Sequence, residues 1–186
     1  RLTTDEGQQR VSARVYPALV PLDHPLANVS GAFNAVVVEA EAAGRLMFYG
    51  QGAGGAPTAS AVMGDLVMAA RNRVQGGRGP RESKYAKLPI SPIGFIPTRY
   101  YVNMNVTDRP GVLSSVAAEF GKREVSIAEV RQEGMVDEGG QRCGARIVVV
   151  THRATDAALS ETVAALADLD VVQSVNSVLR MEGTSE

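Results

Sequence analysis

The chain has 186 residues, with 19 Lys and Arg against 20 Asp and Glu, a formal net charge of −1 and 45% hydrophobic residues. Near neutrality leaves no electrostatic footprint for nucleic acid or an anionic membrane surface, and no apolar run approaches the ~20 residues of a membrane-spanning helix. The single cysteine, Cys143, excludes an internal disulfide and a multi-cysteine metal site and fits a reducing, cytoplasmic compartment; His24 and His152 are too far apart in sequence to form a cluster by themselves, so no metal is expected. Arg1 is not an initiator methionine and residues 1–20 hold no cleavable-signal pattern, so the chain reads as a piece of something longer.

Residues 1–75 are apolar and glycine-punctuated. Phe33–Glu39 and Arg45–Tyr49 read as strands joined across Ala42-Ala43-Gly44. Gly50-Gln-Gly-Ala-Gly-Gly follows. Ala59, Val62, Met63, Leu66, Val67 and Ala70 then recur at helical spacing, with Pro57 near the first turn. A strand, a glycine loop and a helix suit close backbone approach to a cofactor, but Gly50, Gly52 and Gly54 lack the acidic partner of a dinucleotide fingerprint. Residues 76–98 are rich in Pro and Gly, which oppose helix and central strand. They read as a linker, basic in its first half through Arg78, Arg81, Lys84 and Lys87.

Residues 99–183 carry the clearest periodicity. Val102, Met104 and Val106 share one face of a strand, Asn103 and Asn105 the other. Asn103 and Asn105 fit solvent or the contact with a second copy. Thr107–Gly111 is a turn with Pro110 placed to open a helix, on which Val112, Leu113, Val116, Ala117 and Phe120 form a stripe that Gly121 stops. Val125–Val130, Ala145–Thr151 and Val171–Met181 read as further strands, with a polar hairpin from Gly134 to Gly144. Asp156–Ala167 reads as a helix capped by Thr155, with Leu159, Val163 and Leu166 inward. The order βαββαβ predicts a ferredoxin-like, four-stranded antiparallel sheet with both helices on one face, giving an α+β chain overall.

The words Val106-Thr-Asp-Arg-Pro-Gly-Val-Leu113, Phe120 and Val125-Ser-Ile127 resemble the ACT domain, a sensor of small molecules in amino-acid metabolism. A helix N-terminus offers unpaired N–H groups to a carboxylate, and Gly111 has no side chain to obstruct it. The resemblance implies an effector at a seam between two such domains. It would be held by Asp108, which would take its ammonium, with Gly111, Val112 and Leu113, and by Ser126 and Ile127 on the next strand.

Val15-Tyr-Pro-Ala-Leu-Val-Pro-Leu-Asp-His-Pro-Leu-Ala27, Gly31-Ala-Phe-Asn-Ala35 and Leu46-Met-Phe-Tyr-Gly-Gln-Gly-Ala-Gly-Gly-Ala-Pro-Thr-Ala-Ser-Ala61 resemble the later part of the catalytic domain of homoserine dehydrogenases. A trailing ACT domain is the arrangement of their bacterial, threonine-inhibited members. The resemblance implies a partial mixed α/β catalytic and oligomerisation domain over 1–75 and an ACT regulatory domain over 99–183. The parent reaction would interconvert L-aspartate 4-semialdehyde and L-homoserine with NAD(P)H, on the route to threonine, methionine and isoleucine. L-Threonine would be the feedback effector, within a homo-oligomer joined through ACT and catalytic-domain strands.

Gly52, Ala53, Gly54, Gly55 and Thr58 would then close over the nicotinamide end of NAD(P). The family's Rossmann domain and proton-transfer lysine have no counterpart here, since no lysine precedes Lys84. No catalytic residue is therefore assigned; the chain alone is expected to be inactive and to hold no cofactor. His24 reads as a turn residue, His152 as exposed and Cys143 as a hairpin residue without a base. The alternatives are a free-standing amino-acid-binding regulator that dimerises through Val11–Arg73, and a scaffold whose ACT site is empty.

Overall fold

The computed structural model describes residues 2–5, 8–77 and 86–183. In chain order the elements are β1 (Leu2–Asp5), β2 (Gln8–Val11), β3 (Ala18–Leu19), β4 (Phe33–Ala40), β5 (Gly44–Gln51), α1 (Gly55–Val74), β6 (Pro97–Val106), α2 (Val112–Lys122), β7 (Ile127–Val136), β8 (Arg142–Thr151), β9 (Ala154–Thr155), α3 (Asp156–Ala167) and β10 (Val172–Met181). They gather into two units, one made of the residues up to Val20 together with those from Leu88 onward, the other of Pro21–Lys87. The boundaries drawn at 75 and 98 from composition follow texture, whereas the units follow packing.

In the first unit the sheet order is β3-β10-β6-β8-β7, and the four long strands pair antiparallel as the βαββαβ order requires. The alternation in β6 sends Tyr100, Val102, Met104 and Val106 inward. There they meet Val112, Val116 and Phe120 of α2, Leu159 and Leu166 of α3, and Ile147 and Val149 of β8. Burying that many large apolar side chains in one cluster is the main stabilising term of the unit.

Both hairpin strands outrun their predicted lengths. β7 reaches Val136 and β8 starts at Arg142, because β7 is an edge strand whose exposed, polar positions hide its period. The turn between them is short: Asp137 Oδ1 accepts from the amides of Gly139 and Gln141, each at 2.9 Å. Gly144 lies at φ +146°, and a Cβ there would stand 2.6 Å from the carbonyl oxygen of Val106.

The sheet also recruits sequence-remote chain. β3 adds to β10 in parallel, Arg180 facing Ala18 and Met181 facing Leu19. Val11 bridges to Ile90, donating to Pro89 O at 3.0 Å and accepting from Ser91 N at 2.9 Å. The second half of the proline-rich stretch is thus tied to the sheet unit, with Ile96 and Thr98 buried; Arg78, Arg81 and Lys84 lie outside the described residues. Arg180 forms a forked pair with Asp156 at 2.9 and 3.2 Å, and its guanidinium lies over the rings of Tyr16 and Tyr100 at 5.0 and 5.5 Å. Tyr16 donates to Glu182, which also receives Arg14 at 3.1 Å.

The second unit holds the β4–β5 hairpin, paired from Phe33–Gln51 to Ala40–Gly44, and the 20-residue α1. The helix starts earlier and ends later than its apolar stripe indicates. Among the described residues no apolar side chain of this unit is buried, and Val62, Met63, Leu66, Val67 and Met68 are all at least half exposed. Two strands and one helix are too few to enclose a core.

Two outcomes are expected for the sheet unit. Gly144→Ala should lower its unfolding free energy in urea by about 1–3 kcal/mol, since the backbone is left-handed and the new methyl meets backbone rather than a flexible side chain. Burial first, then the hydrogen bond to the Glu182 carboxylate, pushes the Tyr16 phenol up to about 12 from its ordinary 10. A raised folded-state value favours the protonated phenol, so its stabilisation is complete below pH 10 and lost as pH rises from 10 through about 12. Burial also raises the Tyr100 phenol, so phenolate absorbance should show a late-titrating component that shrinks by one tyrosine, rather than vanishing, in Tyr16→Phe.

Candidate functional site

Two concave surfaces coincide with the residues singled out from sequence, one in each unit. The first forms where β6 ends. Thr107 N donates to Val171 O at 2.9 Å, which ties the turn to the start of β10, and Arg109 pairs with Asp170 at 2.9 Å. Gly111 then takes φ +89° as the N-cap of α2, a left-handed conformation that only glycine adopts without strain. A concavity of about 490 Å³ opens here, lined by Asp108, Arg109, Pro110, Gly111, Val112, Leu113, Gln132 and Arg142.

Its chemistry follows from its parts. α2 has no side-chain N-cap, so amides of its first turn lack a side-chain acceptor and face the positive end of the helix dipole. Asp108 does not cap the helix. Its carboxylate stands 3.5 Å from Arg142, an exposed pair worth little by itself. The site thus pairs anion-accepting amides and a guanidinium with one carboxylate, which suits the two charges of a free amino acid. Val112 can contribute only backbone, because its side chain is buried in the core, whereas Leu113 is exposed at the rim.

Asp108, Gly111, Val112 and Leu113 are therefore brought together, as the sequence implied. Ser126 and Ile127 are not. They precede and begin β7 at the opposite end of the sheet, where Ser126 O accepts from His152 N and Ile127 pairs with Thr151. Ile127 is five residues from Gln132, or about 17 Å along the strand. The strand positions that reach the turn are instead Gln132 and Arg142. Gln132 faces Ile147 across the ladder, on the helix side of the sheet; only that register places it there.

The second surface, in the other unit, is lined by Gly52, Ala53, Gly54, Gly55 and Thr58 with Ala59, Val62 and Met63, around about 810 Å³ of open space. Gly54 is the N-cap of α1 at φ +125°, and this helix too has no side-chain cap. Gly52 donates to Ala32 O at 2.9 Å, and a Cβ on it would collide with the Asn34 side chain at 2.0 Å. At Gly55 a Cβ would meet nothing within 4 Å. The five residues named from sequence thus form one continuous wall, with Gly52 turned toward β4.

The remaining candidates are settled by their contacts. His24 is buried and accepts the Leu26 amide on Nδ1 at 3.2 Å, capping the short turn that follows it. Cys143 is exposed and lies on β8 rather than in the hairpin turn. Among the described residues no group of three or more His, Cys, Asp or Glu could hold a metal ion, and no helix is long and apolar enough to cross a membrane.

A family model described as homoserine dehydrogenase matches residues 2–67, and one described as ACT domain matches residues 100–171. The chain is 85% identical over 184 residues to the homoserine dehydrogenase of Mycobacterium tuberculosis, covering 99% of this chain and 42% of that protein. It is 54% identical over 182 residues to that of Corynebacterium glutamicum, 98% of this chain and 40% of the relative. The chain thus spans about two fifths of the curated relatives it matches. A homoserine dehydrogenase from Thiobacillus denitrificans shares the fold with TM-score 0.81 and 30% identity, over 97% of this chain and 41% of that one. One from S. aureus shares it at TM-score 0.55 and 22% identity, over 98% and 40%.

At the turn of the first surface, Gly111→Ala should destabilise the sheet unit by about 1–2 kcal/mol through its left-handed backbone. Arg142→Ala, at an exposed and weakly paired position, should stay within about 0.5 kcal/mol of the parent. Urea melts of the two variants distinguish a turn that needs glycine from a guanidinium that is structurally dispensable.

Proposed function

We propose that the chain, which matches the homoserine dehydrogenase and ACT-domain family models in turn, is the counterpart of the carboxyl-terminal portion of a homoserine dehydrogenase and supplies part of the catalytic domain and the effector-sensing domain of such an enzyme. The observation that carries this reading is the 85% identity along 99% of the chain. The whole protein would interconvert L-aspartate 4-semialdehyde and L-homoserine with NAD(P)H in the cytoplasm, as a homo-oligomer. Its exposed hairpin and α1 stripe would then be covered by neighbouring chain.

Bound NAD(P)H would supply the hydride. The glycine loop fits the nicotinamide end of such a cofactor, because Gly54 and Gly55 carry no side chain and the α1 amides have no side-chain cap. Gly52, Ala53, Gly54, Gly55 and Thr58 would hold that end and exclude water from one side of it. With no lysine before Lys84, we place proton transfer outside these residues and expect hydride transfer only from the longer protein.

The concavity at the start of α2 would bind an amino-acid effector, L-threonine. Its carboxylate would lie on the amides of Gly111, Val112 and Leu113, with Arg142 beside it. Its ammonium would displace Arg142 from Asp108. Ser126 and Ile127 would reach the effector only from a second copy of the domain. Regulation then requires that the effector favour one of two states of the oligomer by differential affinity.

Calorimetric titration of the 186-residue chain with L-threonine tests this reading, with serine and isoleucine as controls. Saturable heat with threonine, weakened at least tenfold in Asp108→Ala, is the expected result. A folded oligomer that gives no heat would remove threonine from the assignment.

A further inference from the structure

The chain that leads into the Pro21–Lys87 unit is gripped by the sheet unit before it leaves. Residues 8–19 lie along that unit through three separate attachments. Val11 is bridged to Ile90 by two backbone hydrogen bonds. β3 is added to the outer edge of β10, with Glu182 N donating to Leu19 O at 2.9 Å. Between them, Arg14 and Tyr16 converge on the carboxylate of Glu182. The chain returning from Lys87 is held by the first of these attachments, at Pro89 and Ser91. Both covalent connections to the other unit therefore leave from chain that this unit holds by backbone hydrogen bonds.

The fastening is built from charge and ring contacts that composition does not announce. The Arg180 guanidinium lies over the rings of both Tyr16 and Tyr100 while its fork holds the buried Asp156 at the start of α3. Tyr100 closes the group by donating to Asp156 at 3.2 Å, with Ser160 at the same distance. Removing Arg180 leaves a buried carboxylate short of its partner and the Tyr100 ring without its cation, while Tyr16 keeps Arg14 at 5.2 Å.

The same strand reaches the effector turn. β10 begins beside Asp170, the partner of Arg109, and Val171, whose carbonyl holds Thr107. It ends at Arg180 and Glu182. Its first half is irregular: there are two register shifts against β6, between Val172 and Ser174 and between Val175 and Ser177, and the second falls at Asn176, whose amide donates to Asn105 at 2.9 Å. The bulges bend this half of β10 locally, whereas from Ser177 to Met181 its ladder to β6 is regular and carries the turn end of the strand through to Arg180.

We propose that residues 8–19 are a strap latched by Arg180, and that β10 couples the state of the turn at Asp108–Gly111 to the hold on that strap. The input to this coupling rests on the effector reading; the strap and its link to Asp170 do not.

Hydrogen exchange on the 186-residue chain tests the proposal. Arg180→Met should speed exchange of the amides in 8–20 at least tenfold, while Val102, Met104 and Ile147 in the core stay within twofold of the parent. Tyr16→Phe, which removes one hydroxyl and keeps the ring, should give a smaller change in the same amides. It serves if Arg180→Met fails to fold. Asp170→Asn, at the other end of β10, should also speed strap exchange severalfold, and together with Tyr16→Phe by a factor different from the product of the two. Strap exchange that is unchanged, or that rises only with that of the core, overturns the strap. An Asp170 variant without effect on the strap, or strictly multiplicative with Tyr16→Phe, overturns the coupling. Heat on threonine binding without slower strap exchange also overturns the coupling while leaving the effector site intact. No heat removes the effector reading, and the Asp170 variant then decides the coupling alone.

Discussion

The burial of one face of β6 is the constraint on which the sheet unit rests. Four alternate side chains, from Tyr100 to Val106, are at most 3% exposed, and the strand is hydrogen-bonded on both sides by β10 and β8. A central strand with one face sealed has its register fixed, because a one-residue slip would turn every apolar group outward. Everything functional hangs from its two ends. Its C-terminal end delivers the turn that opens α2, and its N-terminal end sets Tyr100 against Asp156 and Arg180. The glycine at 144 is a consequence of the same packing, since β8 comes so near the end of β6 that no side chain fits.

The Pro21–Lys87 unit is organised on the opposite principle. Its hairpin and helix are locally well formed, with a full ladder of eight pairs and a 20-residue helix, yet its apolar residues have no interior to enter. Local hydrogen bonding and helix propensity can specify such elements without a core, but they supply little cooperative stability. Its apolar stripe on α1 stays exposed for want of that core.

The concavity at the start of α2 shows where a linear reading stops. Asp108, Gly111, Val112 and Leu113 are contiguous, so the turn signal carried them together. Gln132 and Arg142 arrive from β7 and β8, and their presence depends on a ladder that sets Gln132 opposite Ile147 and on a bulge that shifts Val136 against Arg142. Neither residue has a periodic signature, because Gln132 lies on an exposed edge strand and Arg142 at the exposed start of β8, before its buried alternation begins. Ser126 and Ile127 adjoin the motif in sequence but sit a strand length away in space.

By itself the sequence determined the βαββαβ order, the inward faces of β6, α2 and α3, the two glycine-bearing turns and the family. These are local matters: period two against period 3.6, and the backbone freedom that only glycine gives at a left-handed turn. Tertiary structure alone decided that residues 8–20 belong with the sheet rather than with the stretch that follows them. It alone brought Arg180 over Tyr16 and Tyr100, and Gln132 beside the turn at Asp108–Gly111. Those contacts join residues up to 168 positions apart. No local pattern encodes them, because they exist only once the sheet has fixed which edges lie open and which side chains meet across them.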